Sequence, residues 1–225
     1  ADPRCPNDVN ATRQPASSWQ SLLHGGEDPI PDPDRRGAAG RLAMWLFIVS
    51  LAMVFATVAI AYVVVRLQLV SEGDWRPPDS PGVPRILILS TILLVGSSGT
   101  LWLASRAASR SAAPAAVGRW MLLTVMLVAG FLASQIAAWD QLVEANLSFN
   151  SSLYAWLFYI LTGIHALHVL GGLGPLVLTT CHAFKGRYQG SPDRRRGLVY
   201  CGMYWHFLDV AWVLLYALLL WGMGG

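Results

Sequence analysis

The sequence predicts an all-α integral membrane protein, a bundle of five transmembrane helices with an irregular N-terminal tail. Three observations carry that prediction. Of the 225 residues, 54% are hydrophobic and only 13% are charged, against roughly a quarter charged in soluble domains, and the mean hydropathy is +0.45. Five apolar runs each approach the roughly 20 residues that an α-helix needs to cross a bilayer. The charged side chains bracket these runs and seldom interrupt them. Helix is expected over strand because each run is too long and too uniformly apolar for a barrel strand, which alternates apolar and polar residues.

Residues 1–40 are different in kind. They are rich in Pro, Asp, Arg, Gly and Ser, as in Pro29-Ile30-Pro31-Asp32-Pro33-Asp34. A segment of this composition buries too little apolar surface to offset chain entropy, so an extended, irregular tail is expected. No apolar core follows a basic start there, and a secretory signal peptide is not expected. Trp19, Leu22 and Leu23 form the one apolar patch in it, suited to a partner or to the membrane surface.

The five spans are expected over residues 42–65, 86–105, 120–139, 153–184 and 198–221, making 41–225 the membrane domain. The first lies between Arg41 and Arg66, the second between Arg85 and Arg106, and the third between Arg119 and Asp140. The fourth, at 1.5 Å per residue, is longer than the hydrocarbon is thick and must tilt or protrude. Within it, Gly171-Gly172-Leu173-Gly174-Pro175 removes a backbone hydrogen bond and predicts a kink. Gly96-Ser97-Ser98-Gly99-Thr100 in the second span, with Gly130, Ala133 and Ser134 in the third, predicts close approach of neighbouring helices.

Loop charges predict the orientation. Only Arg66, Arg76 and Arg85 fall on the side opposite the N-terminus; every other basic residue, including Lys185 and Arg194 to Arg196, falls on the N-terminal side. The positive-inside rule then puts the N-terminus in the cytoplasm, and five spans leave the C-terminus outside. The net charge of +3 is small and forms no basic stripe, which argues against nucleic acid as a partner. Cys5, Cys181 and Cys201 are widely spaced and form neither a disulfide framework nor a zinc knuckle.

The chemistry-bearing residues lie in the last two spans. His165 and His168 are three apart and share a helix face, as do His206 and Asp209 on the fifth helix. Tyr204 and Trp205 adjoin them. Ionisable groups at bilayer depth are costly and face other protein. Three readings are open on spacing alone. The groups hold a metal or a haem, they relay protons, or they hydrogen-bond between helices, each bond contributing about 0.6–2 kcal/mol. No span carries the series of carboxylates expected of a pump, and no inverted repeat points to a transporter.

Two of these segments carry a family resemblance. Thr162-Gly163-Ile164-His165-Ala166-Leu167-His168-Val169-Leu170-Gly171 and Tyr204-Trp205-His206-Phe207-Leu208-Asp209-Val210-Ala211-Trp212 resemble the two closing helices of the cytochrome c oxidase subunit III family of the haem–copper oxidases. Ser97-Ser98-Gly99, Met44-Trp45-Leu46-Phe47-Ile48, and Gly130-Phe131 through Gln135 and Trp139 are similar to the helices before them. The resemblance covers the chain from Arg41 onward and matches the five-span branch of the family. It departs at Ser50-Leu51, where members commonly carry Ser-Glu, so that carboxylate is absent here.

The resemblance implies an accessory subunit with no catalytic residue, no metal ligand and no cofactor of its own. Haem and copper are expected in partner subunits. The direct partner is expected to be subunit I, with subunit II nearby, in a bacterial inner-membrane complex that reduces O2 and pumps protons. His165, His168, Tyr204, Trp205, His206 and Asp209 then form a structural polar cluster. Structural phospholipids are expected in a cleft between helices, with Arg66, Arg119, Trp120 and Trp45 at helix ends as headgroup contacts. Quinol oxidase or nitric oxide reductase accessory subunits fit the same pattern. A membrane cytochrome holding haem between His165 or His168 and His206 is the rival of a different class.

Overall fold

The structure, a computed structural model, describes residues 33–72, 82, 84–147, 152–190 and 192–223. The chain divides into two compact units, Ala1–Ala38 and Ala39–Gly225. Of the first, only the opening of a helix is described. Trp19, Leu22 and Leu23 lie outside the described residues.

Five long helices make up nearly all of the rest: α1 (Pro33–Glu72), α2 (Ile86–Ser109), α3 (Pro114–Glu144), α4 (Leu153–Phe184) and α5 (Arg196–Met223). All five are long and apolar enough to cross a membrane, and no strand occurs among the described residues. A short 3-10 turn, Pro192–Arg195, leads into α5.

The helices outrun the expected spans. Helix α1 starts at Pro33, not at Arg41, so residues 33–40 are helical where an irregular tail was expected. The reason is local. A proline at the first helical position lacks only an N–H that would be unsatisfied there. Helix α3 likewise opens with Pro114 and runs on to Glu144. Hydropathy marks where a helix meets hydrocarbon, not where its backbone hydrogen bonding stops. Helix α4 runs unbroken through Pro175.

Helices α2, α3, α4 and α5 pack in a closed ring, each antiparallel to the next in sequence, with α5 returning to α2. The buried positions follow a three–four alternation. On α2 they are Leu87, Ser90, Leu94, Ser97, Leu101, Ala104 and Ala108; on α3 the row from Val117 through Met121, Thr124, Val128 and Phe131 to Gln135, Ala138 and Leu142 does the same. Leu198, Trp205, Trp212 and Leu219 recur every seventh residue on α5. A mean spacing of 3.5 is the seam of a left-handed helix bundle. Small residues in the seam let α2 and α3 approach: a Cβ added to Gly130 would meet Leu93 at 3.4 Å.

Helix α1 lies outside the ring and meets α4 and α5 through side chains. Phe55 packs on His165, His168 and Phe207, and Phe47 stacks on Tyr204 at 5.9 Å. At the far end Arg66 is buried, its guanidinium 3.8 Å from the Trp221 ring centre, and its Nη2 donates to the Trp221 carbonyl at 3.2 Å. That carbonyl lies in the last turn of α5, where backbone oxygens lack helical partners and the helix dipole favours a cation.

A candidate intramembrane polar site and an apolar crevice

The ring of helices is tied by hydrogen bonds at several depths. Trp205 is fully buried and its Nε1 donates to Ser97 Oγ at 2.8 Å. Two turns further along the same face, Trp212 donates to Thr91 Oγ1 at 3.1 Å. Both bonds join α5 to α2. Hydroxyl pairs join α2 to α3, Ser90 with Ser134 at 2.7 Å and Thr100 with Thr124 at 2.8 Å. Trp139 donates to Thr162 Oγ1 at 3.0 Å between α3 and α4. Without water, such groups must find protein partners.

The six residues singled out from the sequence divide three ways. Trp205, Tyr204 and His206 bond across helices. Tyr204 donates its hydroxyl to the His168 carbonyl at 2.8 Å, and His206 Nδ1 pairs with Ser98 Oγ of α2. His168 turns its ring inward along its own helix, where Nδ1 donates to the Ile164 carbonyl at 2.7 Å. His165 and Asp209 are buried without an aligned hydrogen bond, although Ser98 approaches the Asp209 carboxylate.

His165 is enclosed by Phe55, Phe131 and Trp212, whose ring centres lie at 6.0, 5.7 and 4.9 Å. His206 is exposed on the outer face of α5. The two imidazoles therefore share no common space. Among the described residues no three His, Cys, Asp or Glu side chains converge. Sequence reasoning did not select Trp212, Thr91, Ser90 or Thr124. The seven-residue spacing of Trp205 and Trp212, two turns along one face, is the signal that marks Trp212.

A crevice of about 430 Å³ opens between α1, α4 and α5, lined by Met44, Phe47, Gly171, Gly172, Pro175, Thr179, Gly197, Tyr200, Cys201 and Tyr204. It adjoins a wider hollow of about 610 Å³ that shares Pro175, Thr179 and Gly197 and adds His182, Arg187, Tyr188 and Arg194. An apolar slot thus leads to a basic mouth at the α4–α5 connection. Arg187 Nη1 donates to His182 Nε2 at 3.1 Å. Burial pushes the Tyr188 phenol up to about 12, with Cys201 adding to the rise and Arg187 opposing it. Arg66, Arg119, Trp120 and Trp45 do not line this crevice. Arg66 is turned inward onto Trp221, whereas Arg119, Trp120 and Trp45 are exposed at the surface.

These features define a helical, membrane-type protein that knits its own helices through polar seams. Comparison with known proteins narrows the class. The family model for cytochrome c oxidase subunit III matches residues 36–223. The cytochrome c oxidase subunit 3 of Corynebacterium diphtheriae is 33% identical over 84% of this chain and 93% of its own length. A probable cytochrome c oxidase subunit 3 from Nocardia farcinica is 32% identical over 77% of this chain and 82% of its own. A quinol oxidase subunit 3 from Bacillus spizizenii is 27% identical over 90% and 97%. The chain belongs to the cytochrome c oxidase subunit III family.

Proposed function

We propose that this chain is the accessory subunit III of a proton-pumping cytochrome c oxidase. In this reading it holds no haem and no copper. It packs beside the catalytic subunit I, with subunit II in the same complex, steadies it during turnover and supports proton uptake. The observation that carries the reading is the family match over residues 36–223, which spans all five membrane helices. The enclosure of His165 by three aromatic rings and the binding of Ser98 by His206 support a structural role for these imidazoles.

Structural phospholipid is the proposed occupant of the crevice between α1, α4 and α5. Apolar walls suit acyl chains, and Arg187 and Arg194 at the mouth suit an anionic headgroup. The surplus of basic residues on the N-terminal side supports a cytoplasmic N-terminus in a bacterial inner membrane and an external C-terminus.

A quinol oxidase is the second reading, favoured by the Bacillus spizizenii relative that spans 90% of this chain. A dinuclear copper site in a neighbouring subunit decides for cytochrome c.

Purification from native membranes tests the proposal. The chain is expected to travel with a larger subunit bearing haem and copper, and once separated to show no Soret band and no stoichiometric copper, iron or zinc. Recovery of the chain alone as a stable homo-oligomer, or a positive pyridine haemochrome assay on it, overturns the proposal.

A further inference from the structure

We infer that the outer seam between α2 and α5, centred on Ser98 and His206, is the surface on which a membrane-spanning helix of a different subunit docks. The inference rests on the accessory-subunit reading and names the contact face within it. His206 is exposed and lies roughly 15 Å along α5 from Arg196 at the helical rise of 1.5 Å per residue. In a hydrocarbon core about 30 Å thick, that is near mid-depth, beyond headgroups and water. Its one hydrogen bond among the described residues goes through Nδ1 to Ser98, and Nε2 has no partner there.

One turn on, Asp209 is buried with both carboxylate oxygens covered and Ser98 close by, so it lies beneath the seam, and the unpaired atom that faces outward is His206 Nε2. Hydrocarbon supplies no donors, and an unpaired polar group at that depth costs several kcal/mol. The seam also has room for a backbone. Gly99, beside Ser98, is exposed, and nothing lies within 4 Å of a Cβ built there. Small residues at such a point allow close helix approach.

Open space also lies at the exposed Gly171 and Gly174 of α4, but two other outer faces lack an exposed side chain with an unpaired ring nitrogen. On α1 the exposed hydroxyls of Ser50 and Thr57 are already given to Leu46 and Met53 carbonyls of their own helix, and the exposed middle of α3, around Met126, is apolar. The occupant is a helix carrying a side chain that both gives and accepts hydrogen bonds, a hydroxyl or a carboxamide.

Site-specific photo-crosslinking in the intact complex tests the inference, with benzoylphenylalanine at Gly99 or Val213 on the seam, and at Met126 or Ile60 elsewhere. Crosslinks to another subunit are expected from the seam positions, and not from Met126 or Ile60. Retention of the chain through detergent washing is expected to fall about fivefold for His206→Phe, the worth of one membrane hydrogen bond, and to be kept by His206→Gln. With the complex intact, crosslinks from Met126 or Ile60 only, to lipid only, or to a second copy overturn the docking surface. If the unmodified chain travels with no larger subunit, the accessory-subunit reading falls and the docking surface with it.

Discussion

Two indole nitrogens hold the ring of helices closed. Trp205 and Trp212 are fully buried and donate from α5 to hydroxyls of α2. Removing the Trp205 donor by Trp205→Phe loses that bond and leaves unfilled volume, so a loss of about 1–3 kcal/mol is expected in unfolding titrations in mild detergent. The exposed His206 and the buried Asp209 one turn on are expected to act differently. His206→Ala and Asp209→Ala should weaken retention of the subunit while leaving the haem bands of the complex unchanged; bands that shift as for a lost ligand count against the structural reading. The sequence revealed that polar groups stood at bilayer depth, because a single residue type in an apolar run is visible by inspection. It did not reveal that His165 faces three aromatic rings while His206 faces outward. That difference depends on which neighbours the helix rotation brings near. Leu51 and Phe55 of α1 are both buried in the apolar core.

At the scale of the elements, helix contacts are set by small residues more than by apolar ones. A Cβ on Gly172 would meet Tyr204 Cε1 at 2.5 Å and Trp205 Cζ3 at 3.2 Å, whereas a Cβ on Gly174 meets nothing within 4 Å. Gly172→Ala is therefore expected to destabilise by about 1–3 kcal/mol through overpacking of α4 on α5. Gly174→Ala should be neutral or mildly stabilising, since alanine favours helix over glycine by about 0.5–1 kcal/mol. Paired thermal melts in detergent separate the two. The α4–α5 connection yields a prediction in pH. Burial favours the neutral Tyr188 phenol, raising it from its ordinary value near 10 to about 12. The unfolded chain loses this proton first, so the contribution of Tyr188 to stability is complete below pH about 10 and declines as pH rises toward about 12. The alkaline fall in melting temperature should be shallower in Tyr188→Phe. Each of the five apolar runs of the sequence falls on one long helix, and α1 and α3 extend beyond theirs from starts at Pro33 and Pro114.

Over the whole molecule, packing is uneven. Only 22% of the apolar window of α1 is buried, against 33–39% in the other helices. Helix α1 touches α4 and α5 through Phe47, Phe55 and Arg66 and takes no part in the ring. Hydrogen exchange in detergent is expected to show α1 as the least protected of the five, and a phosphatase fused to the C-terminus is expected to be active outside the cytoplasm. The sequence by itself determined the all-helical membrane class, the number of spans and the family, because length, apolarity and two polar-bearing segments are properties of the chain read in order. It could not determine which face of each helix turns inward. In a soluble bundle the buried stripe is the apolar one, but in lipid both faces are apolar and hydropathy loses its contrast. Here the buried seam is marked by Ser90, Ser97, Thr124, Ser134, Thr162 and the two tryptophans. Only the tertiary structure identifies it, because the partners of these polar groups lie on other helices, far away along the chain.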